Sequence, residues 1–168
     1  TELGATRIVP LLTERTISRP DEEHATSKLE KWRTTALEAV KQCGNPWLPR
    51  IEAPVNFAEQ LRRKEHFDLA LVASLHPGAR PLRAVFDELR ARGPGRPATV
   101  AVWVGPEGDF TPQEIAALVQ GGVQPITLGR LVLRCDTATV ATLALVMGGA
   151  ILVGFFAFKV AKQRTTTF

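Results

Sequence analysis

The sequence contains few of the residues that build metal sites and disulfide frameworks. It has two cysteines and three histidines in 168 residues. Neither set has the spacing of metal ligands, so no metal site is expected. Two cysteines far apart in the chain, Cys43 and Cys135, fit a reducing, cytoplasmic compartment, although a single disulfide between them stays open.

Three widespread ligand-binding and catalytic motifs are also missing. No glycine-rich stretch is followed by G-K-[ST], which excludes a Walker phosphate loop. No G-x-G-x-x-G opens a first strand–helix unit, and this argues against ordinary dinucleotide binding. No G-x-S-x-G elbow is present either, so an α/β-hydrolase nucleophile is not indicated.

Net charge gives only weak support for a nucleic-acid partner. The formal charge is +4, but most of the surplus comes from Lys159, Lys162 and Arg164 in a C-terminal segment without acids. Lysines on the first predicted helix, such as Lys28 and Lys31, could contact RNA or form an ordinary solvated face. The length, the apolar fraction of 45% and the charged fraction of 23% are typical of one globular domain.

The two ends of the chain are unusual. No residue from 138 to 158 is charged. This stretch is long enough to span a membrane, and basic residues follow it. Interspersed threonines and glycines favour the alternative of a helix buried at an oligomer interface, so a membrane span stays the less favoured interpretation. The chain starts at Thr1 without an initiator methionine or signal peptide, and is expected to be a fragment or a trimmed domain.

Short apolar runs alternate with amphipathic helical patterns along the chain. Strands are predicted over residues 7–12, 68–73, 100–104 and 125–128. Four helices are predicted. The first starts between residues 18 and 21 and ends at 43, the second covers 81–92, the third starts at 111 and the fourth starts near 136–137. The strands are continuous apolar runs, so the pattern predicts an α/β fold with a parallel sheet covered by helices on both faces. Ligands bind such sheets beyond the carboxyl ends of the strands.

Residues 105–111 form the most informative of the predicted strand-end turns. Two glycines three positions apart leave the backbone bare, and Thr111 with Glu114 forms a capping box for the next helix. By itself this stretch could be a tight connection without a ligand. Two further turns, residues 74–78 and 129–134, are predicted at the same sheet edge, and together the three favour a ligand cleft.

Two reactive side chains in these turns have ordinary interpretations as well as functional ones. His76 could touch a ligand or simply be exposed. Cys135, next to Arg134 and a helix start, could be an activated thiol or a plain small residue.

Four segments, in this order and at fitting intervals, resemble landmarks of one enzyme family. They are Thr1-Glu2-Leu3-Gly4 with Ile8-Val9-Pro10 and Thr13-Glu14-Arg15, Lys31-Trp32 through Gln42-Cys43-Gly44, residues 105–111 with Glu114, and residues 128–138. The chain resembles, over about residues 1–147, the catalytic domain of the RsmE family of the SPOUT superfamily. Members are S-adenosylmethionine-dependent methyltransferases that act on uracil N3 in small-subunit ribosomal RNA.

The resemblance implies a SPOUT-type α/β domain with a C-terminal deep trefoil knot, working in the cytoplasm as a homodimer through the knot and the C-terminal helix. Residues 1–147 would be the methyltransferase domain, and residues 148–168 an apolar tail. The three turns would bind S-adenosyl-L-methionine. The residues implied in that role are Leu75, Val104, Gly105, Glu107, Gly108, Leu128, Gly129, Leu133 and Ala138.

Two arginines are the catalytic candidates under this resemblance. Uracil N3 carries a proton and is a poor nucleophile, so an arginine that stabilises the anion on O2 and O4 would promote attack. Arg134 is the candidate for this role, and Arg15 would place phosphate or base. Glu114 could help to remove the proton, but capping its own helix is the favoured role.

The sequence departs from the family pattern in places. Asp109 stands at the usual second glycine, Cys135-Asp136 replaces Thr-Glu, and Asn45 replaces an arginine. The small N-terminal RNA-binding barrel of the family has no counterpart in this sequence. Two alternatives therefore stay open: methylation of tRNA by the same superfamily, and a non-catalytic donor-binding or dimerisation module.

Overall fold

The computed structural model describes residues 1–163 apart from 18, 20, 21 and 94–96, and for residues 22, 23 and 150–163 it describes the backbone alone. The strands are β1 (Arg7–Ile8), β2 (Leu11–Leu12), β3 (Arg50–Ile51), β4 (Val55–Asn56), β5 (Leu69–Ala73), β6 (Arg80–Pro81), β7 (Val100–Val104) and β8 (Gln124–Thr127). The helices are α1 (Glu22–Cys43), α2 (Phe57–Arg62), α3 (Leu82–Ala91), α4 (Pro112–Gln120) and α5 (Cys135–Gln163).

The main sheet is a four-stranded parallel sheet in the order β6-β8-β5-β7. The central strand β5 pairs with both neighbours, and its last residue, Ala73, lies opposite Val104 of β7 and Ile126 of β8. The predicted α/β fold with a parallel sheet is therefore confirmed. Because the three strands end in register, the turns that follow them emerge at one edge of the sheet.

Side chains of β5 alternate between two apolar clusters, one on each face of the sheet. Val72 packs with Phe57 of α2 and with Ile115 and Leu118 of α4. Leu69 and Leu71 face the other way, into a cluster that also contains Leu82 and Val85 of α3, Ile126 of β8 and Val146 of α5. This alternation, with helices on each side, explains why the strand is a continuous apolar run.

The predicted strand over residues 7–12 is in fact two short strands. Strand β1 pairs in parallel with β3, and β2 pairs in parallel with β4. Pro10 lies between them, and proline has no N–H to donate to a ladder, so pairing stops there. The Pro10 carbonyl still accepts a hydrogen bond from the Val55 N–H at 3.0 Å, which starts the second ladder.

The two long helices differ from prediction at their ends and faces. Part of the predicted start of α1, at 18–21, lies outside the described residues. The predicted apolar face of α1 buries Ala36 and Val40 but leaves Trp32 and Cys43 exposed.

Helix α5 continues through residue 147 without a break. In the described part of the chain no helix is long and apolar enough to cross a membrane.

A network of charged side chains around Glu52 joins the short N-terminal strands to the segment after α2. Arg7 donates to Glu52 Oε1 at 2.6 Å and to both carboxylate oxygens of Glu65. Arg63 donates to Glu52 Oε2 at 2.7 Å. Hydrogen bonds from Arg7 and then Arg63 lower the pKa of Glu52 from its ordinary value of 4.5 to about 2.

We expect Glu52→Gln to destabilise the fold by about 1–2 kcal/mol at pH 7, after allowance for solvent screening. The pKa of Glu52 is lower in the folded chain than in the unfolded chain. Its stabilisation is therefore present above pH 4.5 and is lost as the pH falls toward about 2. Urea unfolding at several pH values should show the gap between variant and parent closing in acid. Glu38→Gln, which removes the exposed Glu38–Lys41 pair, is the matched control with little effect. A gap that is constant with pH would contradict this.

Candidate functional site

A cavity of about 410 Å³ lies at the carboxyl ends of β5, β7 and β8. This is the edge where the sequence predicted a ligand cleft, and the volume lies in the range of small-molecule sites. Its lining residues are Arg15, Ala73, Ser74, Leu75, Val104, Gly105, Pro106, Glu107, Gly108, Asp109, Ile126, Thr127, Leu128, Leu131, Val132, Leu133, Cys135 and Ala138.

Most of the site residues inferred from the sequence meet in this cavity. Those that line it are Arg15, Leu75, Val104, Gly105, Glu107, Gly108, Leu128, Leu133 and Ala138. Gly129 and Arg134 do not line it. The Arg134 side chain is 79% exposed, and its Nε lies 3.8 Å from Asp136 Oδ1. Arg134 nevertheless stands between two lining residues, Leu133 and Cys135.

Several lining residues were not singled out from the sequence. Ala73 ends β5, and Ile126 and Thr127 end β8, so their position at the strand ends was an available signal. Ser74 follows β5 and belongs to the predicted 74–78 turn. Leu131 and Val132 belong to a turn that was predicted to matter. Their exposed side chains, at 79% and 74%, could not be distinguished from core residues by composition alone.

The backbone of residues 105–110 is held in one conformation. A Cβ on Gly105 would lie 2.7 Å from Asp109 Oδ1 and 3.0 Å from both the Asp109 Cα and the Phe110 nitrogen, so a larger residue at this buried position would force the turn to shift. The Asp109 N–H donates to the Pro106 carbonyl at 2.8 Å. Phe110 is 3% exposed and packs against Phe57 with ring centroids 5.8 Å apart, which anchors the turn in the core.

Asp109 adopts a backbone conformation that usually belongs to glycine. Its φ is +58°, in the left-handed region, where a side chain costs on the order of 1 kcal/mol. Its Oδ1 accepts a hydrogen bond from the Phe110 N–H at 2.7 Å. The carboxylate is therefore fixed on the turn, beside Gly105 and at the cavity wall.

The buried carboxylate of Glu114 holds the N-terminal segment against this turn. Its Oε2 accepts from the Thr111 N–H at 2.9 Å, and the Thr111 hydroxyl accepts from the Glu114 N–H at 3.2 Å, which completes the predicted capping box. Its Oε1 accepts from the Glu14 N–H at 2.9 Å. Both carboxylate oxygens are thus engaged, and this favours the capping role over proton removal.

The contact between Glu14 and Glu114 brings Arg15 to the cavity. Arg15 Nη1 donates to the Gly108 carbonyl at 2.7 Å. The stem of Arg15 also packs closely, since a Cβ on Gly108 would lie 3.3 Å from Arg15 Cβ and Cδ. A segment about a hundred residues away in sequence therefore forms one wall of the site, and no local pattern signals this contact.

Cys135 and His76 make contacts that support structural roles. The Cys135 thiol donates to the Gly105 carbonyl at 3.0 Å. Burial, followed by the charge of Glu107, raises the pKa of the Cys135 thiol, so the activated-thiol interpretation is not supported. His76 Nδ1 accepts from the Gly78 N–H at 3.0 Å and the ring is exposed.

Carboxylates outnumber cations among the ionisable groups of the cavity wall. Glu107 and Asp109 supply negative charge, and Arg15 supplies the positive charge. Within the described residues no group of three histidine, cysteine or acidic side chains could hold a metal ion. The wall therefore combines apolar side chains, bare backbone at two glycines and a few charges, which suits an organic ligand.

Comparison with known proteins gives a consistent result. A family model described as "RNA methyltransferase domain" matches residues 1–147. The chain is 36% identical over 147 residues to the ribosomal RNA small subunit methyltransferase E of Synechocystis, covering 86% of this chain and 45% of that protein. It is 31% identical over 147 residues to the Aquifex aeolicus protein of the same name, covering 88% of this chain and 58% of the relative.

A solved structure shares the fold. A Neisseria gonorrhoeae ribosomal RNA small subunit methyltransferase E, crystallised with S-adenosyl methionine, is 32% identical and superposes with a TM-score of 0.73. The match covers 85% of this chain and 55% of that chain. The chain thus spans about half the length of the relatives it matches. The resemblance to the RsmE family identified from the sequence is confirmed.

We expect Glu114→Ala to destabilise the fold by about 2–4 kcal/mol, because the N–H groups of Thr111 and Glu14 both lose their acceptor. Amide hydrogen exchange at Glu14 should accelerate beyond what the loss of global stability explains. Gln113→Ala, at an exposed neighbouring position in the same turn of α4, is the matched control. Unchanged exchange at Glu14 in Glu114→Ala would refute the proposed link between the two segments.

Proposed function

The chain belongs to the RNA methyltransferase domain family, and on that premise we propose that it methylates N3 of a uridine in small-subunit ribosomal RNA. S-adenosyl-L-methionine would be the methyl donor. The names of the relatives support the ribosomal substrate, and the Neisseria structure with its bound donor supports the ligand. The observation in this chain that carries the proposal is the cavity at the three aligned strand ends.

The residues of the cavity fit this donor. Gly105 and Gly108 place main-chain groups at the cavity wall, and such groups can hydrogen-bond an adenine or ribose. Apolar walls from Leu75, Leu128 and Leu133 can enclose the flat ring and the thioether arm. When bound, the donor supplies an electrophilic methyl group on a sulfonium sulfur.

Arg134 is proposed to promote attack by uracil N3. The N3 proton must leave, and the resulting anion carries its charge on O2 and O4, which a guanidinium can stabilise without losing its own proton. In the described structure Arg134 makes an exposed ion pair with Asp136. Such pairs contribute little to stability, so turning the side chain toward a bound base costs little.

Arg15 is proposed to place the RNA rather than to react with it. Its guanidinium is exposed at the cavity wall and already donates one hydrogen bond to the Gly108 carbonyl. Arginine presents five donors, so it can keep this contact and bind a phosphate or base edge with the rest.

We also propose that the C-terminal part of the domain is a deep trefoil knot. Strand β8 is separated from β7 by β5, yet the next helix, α5, starts with a hydrogen bond from Cys135 to the Gly105 carbonyl beside β7. The chain therefore crosses the strand ends between these elements, as a knotted crossing requires. Stretching a single molecule should give an extended length shorter than that of an unknotted chain.

The domain is proposed to end near residue 147, where the family match ends, with residues 148–168 as an additional segment. Two residues at the same face of α5, Val140 and Met147, are exposed at 58% and 37%. These exposed apolar side chains would be covered by a second copy of the chain. We propose a homodimer in the cytoplasm, where its ribosomal substrate would be.

Measurements of donor binding and of methyl transfer should distinguish a donor-binding variant from a catalytic variant. Gly105→Ala should lower donor affinity at least tenfold, because the new Cβ meets backbone atoms of the turn. Arg134→Ala should keep donor affinity and lower the transfer rate about a hundredfold. Calorimetry with S-adenosylmethionine and nucleoside mass spectrometry of treated small-subunit rRNA and tRNA provide the two readouts.

Arg130→Ala is the matched control, because Arg130 lies in the same turn and does not line the cavity. Its transfer rate should stay within about threefold of the parent. Methylation of tRNA alone would instead identify a tRNA enzyme. Donor binding without transfer to either RNA would indicate a non-catalytic module, and no binding at all would refute the donor site.

Sedimentation equilibrium should show a dimer, and Val140→Glu should shift it toward monomer, because a charge on a buried apolar interface lacks a partner. Glu38→Lys, an exposed change on α1, should leave the equilibrium unchanged. A parent chain that sediments as a monomer at all concentrations would contradict the proposed homodimer.

A further inference from the structure

Asp109 gives this cavity a fixed negative charge at a position where the family pattern has glycine. Asp109 is a lining residue of the cavity, and its Oδ1 accepts a hydrogen bond from the Phe110 N–H at 2.7 Å. Phe110 in turn is anchored in the core. The carboxylate therefore stays beside Gly105 rather than turning freely in solvent.

The other charges of the wall do not cancel this one. Glu107 adds a second carboxylate, and its charge reaches Cys135, where it helps to raise the pKa of the thiol. Arg15 brings one opposing charge, which it keeps while its Nη1 donates to the neutral Gly108 carbonyl. Arg134 does not line the cavity and pairs with Asp136. The lining residues thus carry two carboxylates against one guanidinium, and this excess of negative charge complements a ligand with net positive charge.

The methyl donor and its demethylated product differ in net charge. Both carry an amino-acid group whose charges cancel. The donor also carries a sulfonium. When the methyl group bonds to N3, which has already lost its proton, the S–C bond breaks with its electron pair on sulfur, and the sulfonium becomes a neutral thioether. A negative wall therefore attracts the donor more strongly than the product.

We propose that Asp109 is a specificity-determining residue that makes the cavity prefer the sulfonium donor over its neutral thioether product. The inference rests on the proposed function, since it assumes that the donor binds in this cavity. Its consequence is weaker product inhibition, because the product loses the attraction that the donor experiences. The left-handed conformation of Asp109 is an additional local cost that a glycine would avoid.

The test measures two dissociation constants by calorimetry, one for the product S-adenosylhomocysteine and one for the donor S-adenosylmethionine. The quantity compared is the product's constant divided by the donor's constant. Asp109→Asn keeps the shape and an oxygen acceptor for the Phe110 N–H, and Asn tolerates a positive φ. Asp109→Gly restores the residue of the family pattern. In both variants the ratio should fall about three- to tenfold, and in the parent it should fall as salt screens the charge.

Asp87→Asn is the matched control, because Asp87 is an exposed residue of α3 that does not line the cavity. Its ratio should equal that of the parent. The inference is overturned if the ratio of dissociation constants is unchanged in the Asp109 variants, whether both affinities stay as in the parent or both fall equally. If the parent binds neither ligand, the proposed function itself fails, and this outcome is distinct from a parent that binds both without discrimination.

Discussion

The site depends on the register of the central strand. Ala73 at the end of β5 lies opposite Val104 and Ile126, so the three strands end within one residue of the same level. Each then gives way to a turn, and the turns enclose a cavity of about 410 Å³. Because side chains alternate along a strand, a slip of one residue would turn the buried Leu71 and Val72 to the wrong faces. The two-faced core therefore keeps the site assembled.

Glu114 adds the connection that the sheet alone cannot make. Its buried carboxylate caps α4 and also binds the backbone of Glu14, so one side chain joins two distant parts of the chain. Arg15 follows directly and reaches Gly108. A carboxylate that accepts two backbone N–H groups in a buried place is a strong, directional link. The N-terminal segment thus belongs to the site, although it lies outside the main sheet.

The charges of the cavity suggest how a methyltransferase domain can handle its product. Apolar and backbone contacts bind donor and product about equally, since the two molecules share almost all their atoms. Only an electrostatic contact can respond to the loss of the sulfonium charge. Asp109, fixed by Phe110 at the wall, is placed for such a contact. Its positive φ would be less costly for glycine, so the turn itself does not explain the aspartate, whereas a role of the carboxylate does.

The sequence by itself determined the α/β class, the parallel sheet, the capped helix at Thr111 and the three turns, because these follow from local patterns of apolar residues, glycines and caps. It could not show that Pro10 splits the first strand into two ladders, that Trp32 stays exposed, or that Arg134 lies outside the cavity wall. Only the tertiary structure decided these points. They depend on which distant residues meet, as Glu14 meets Glu114, and sequence spacing holds no information about such contacts.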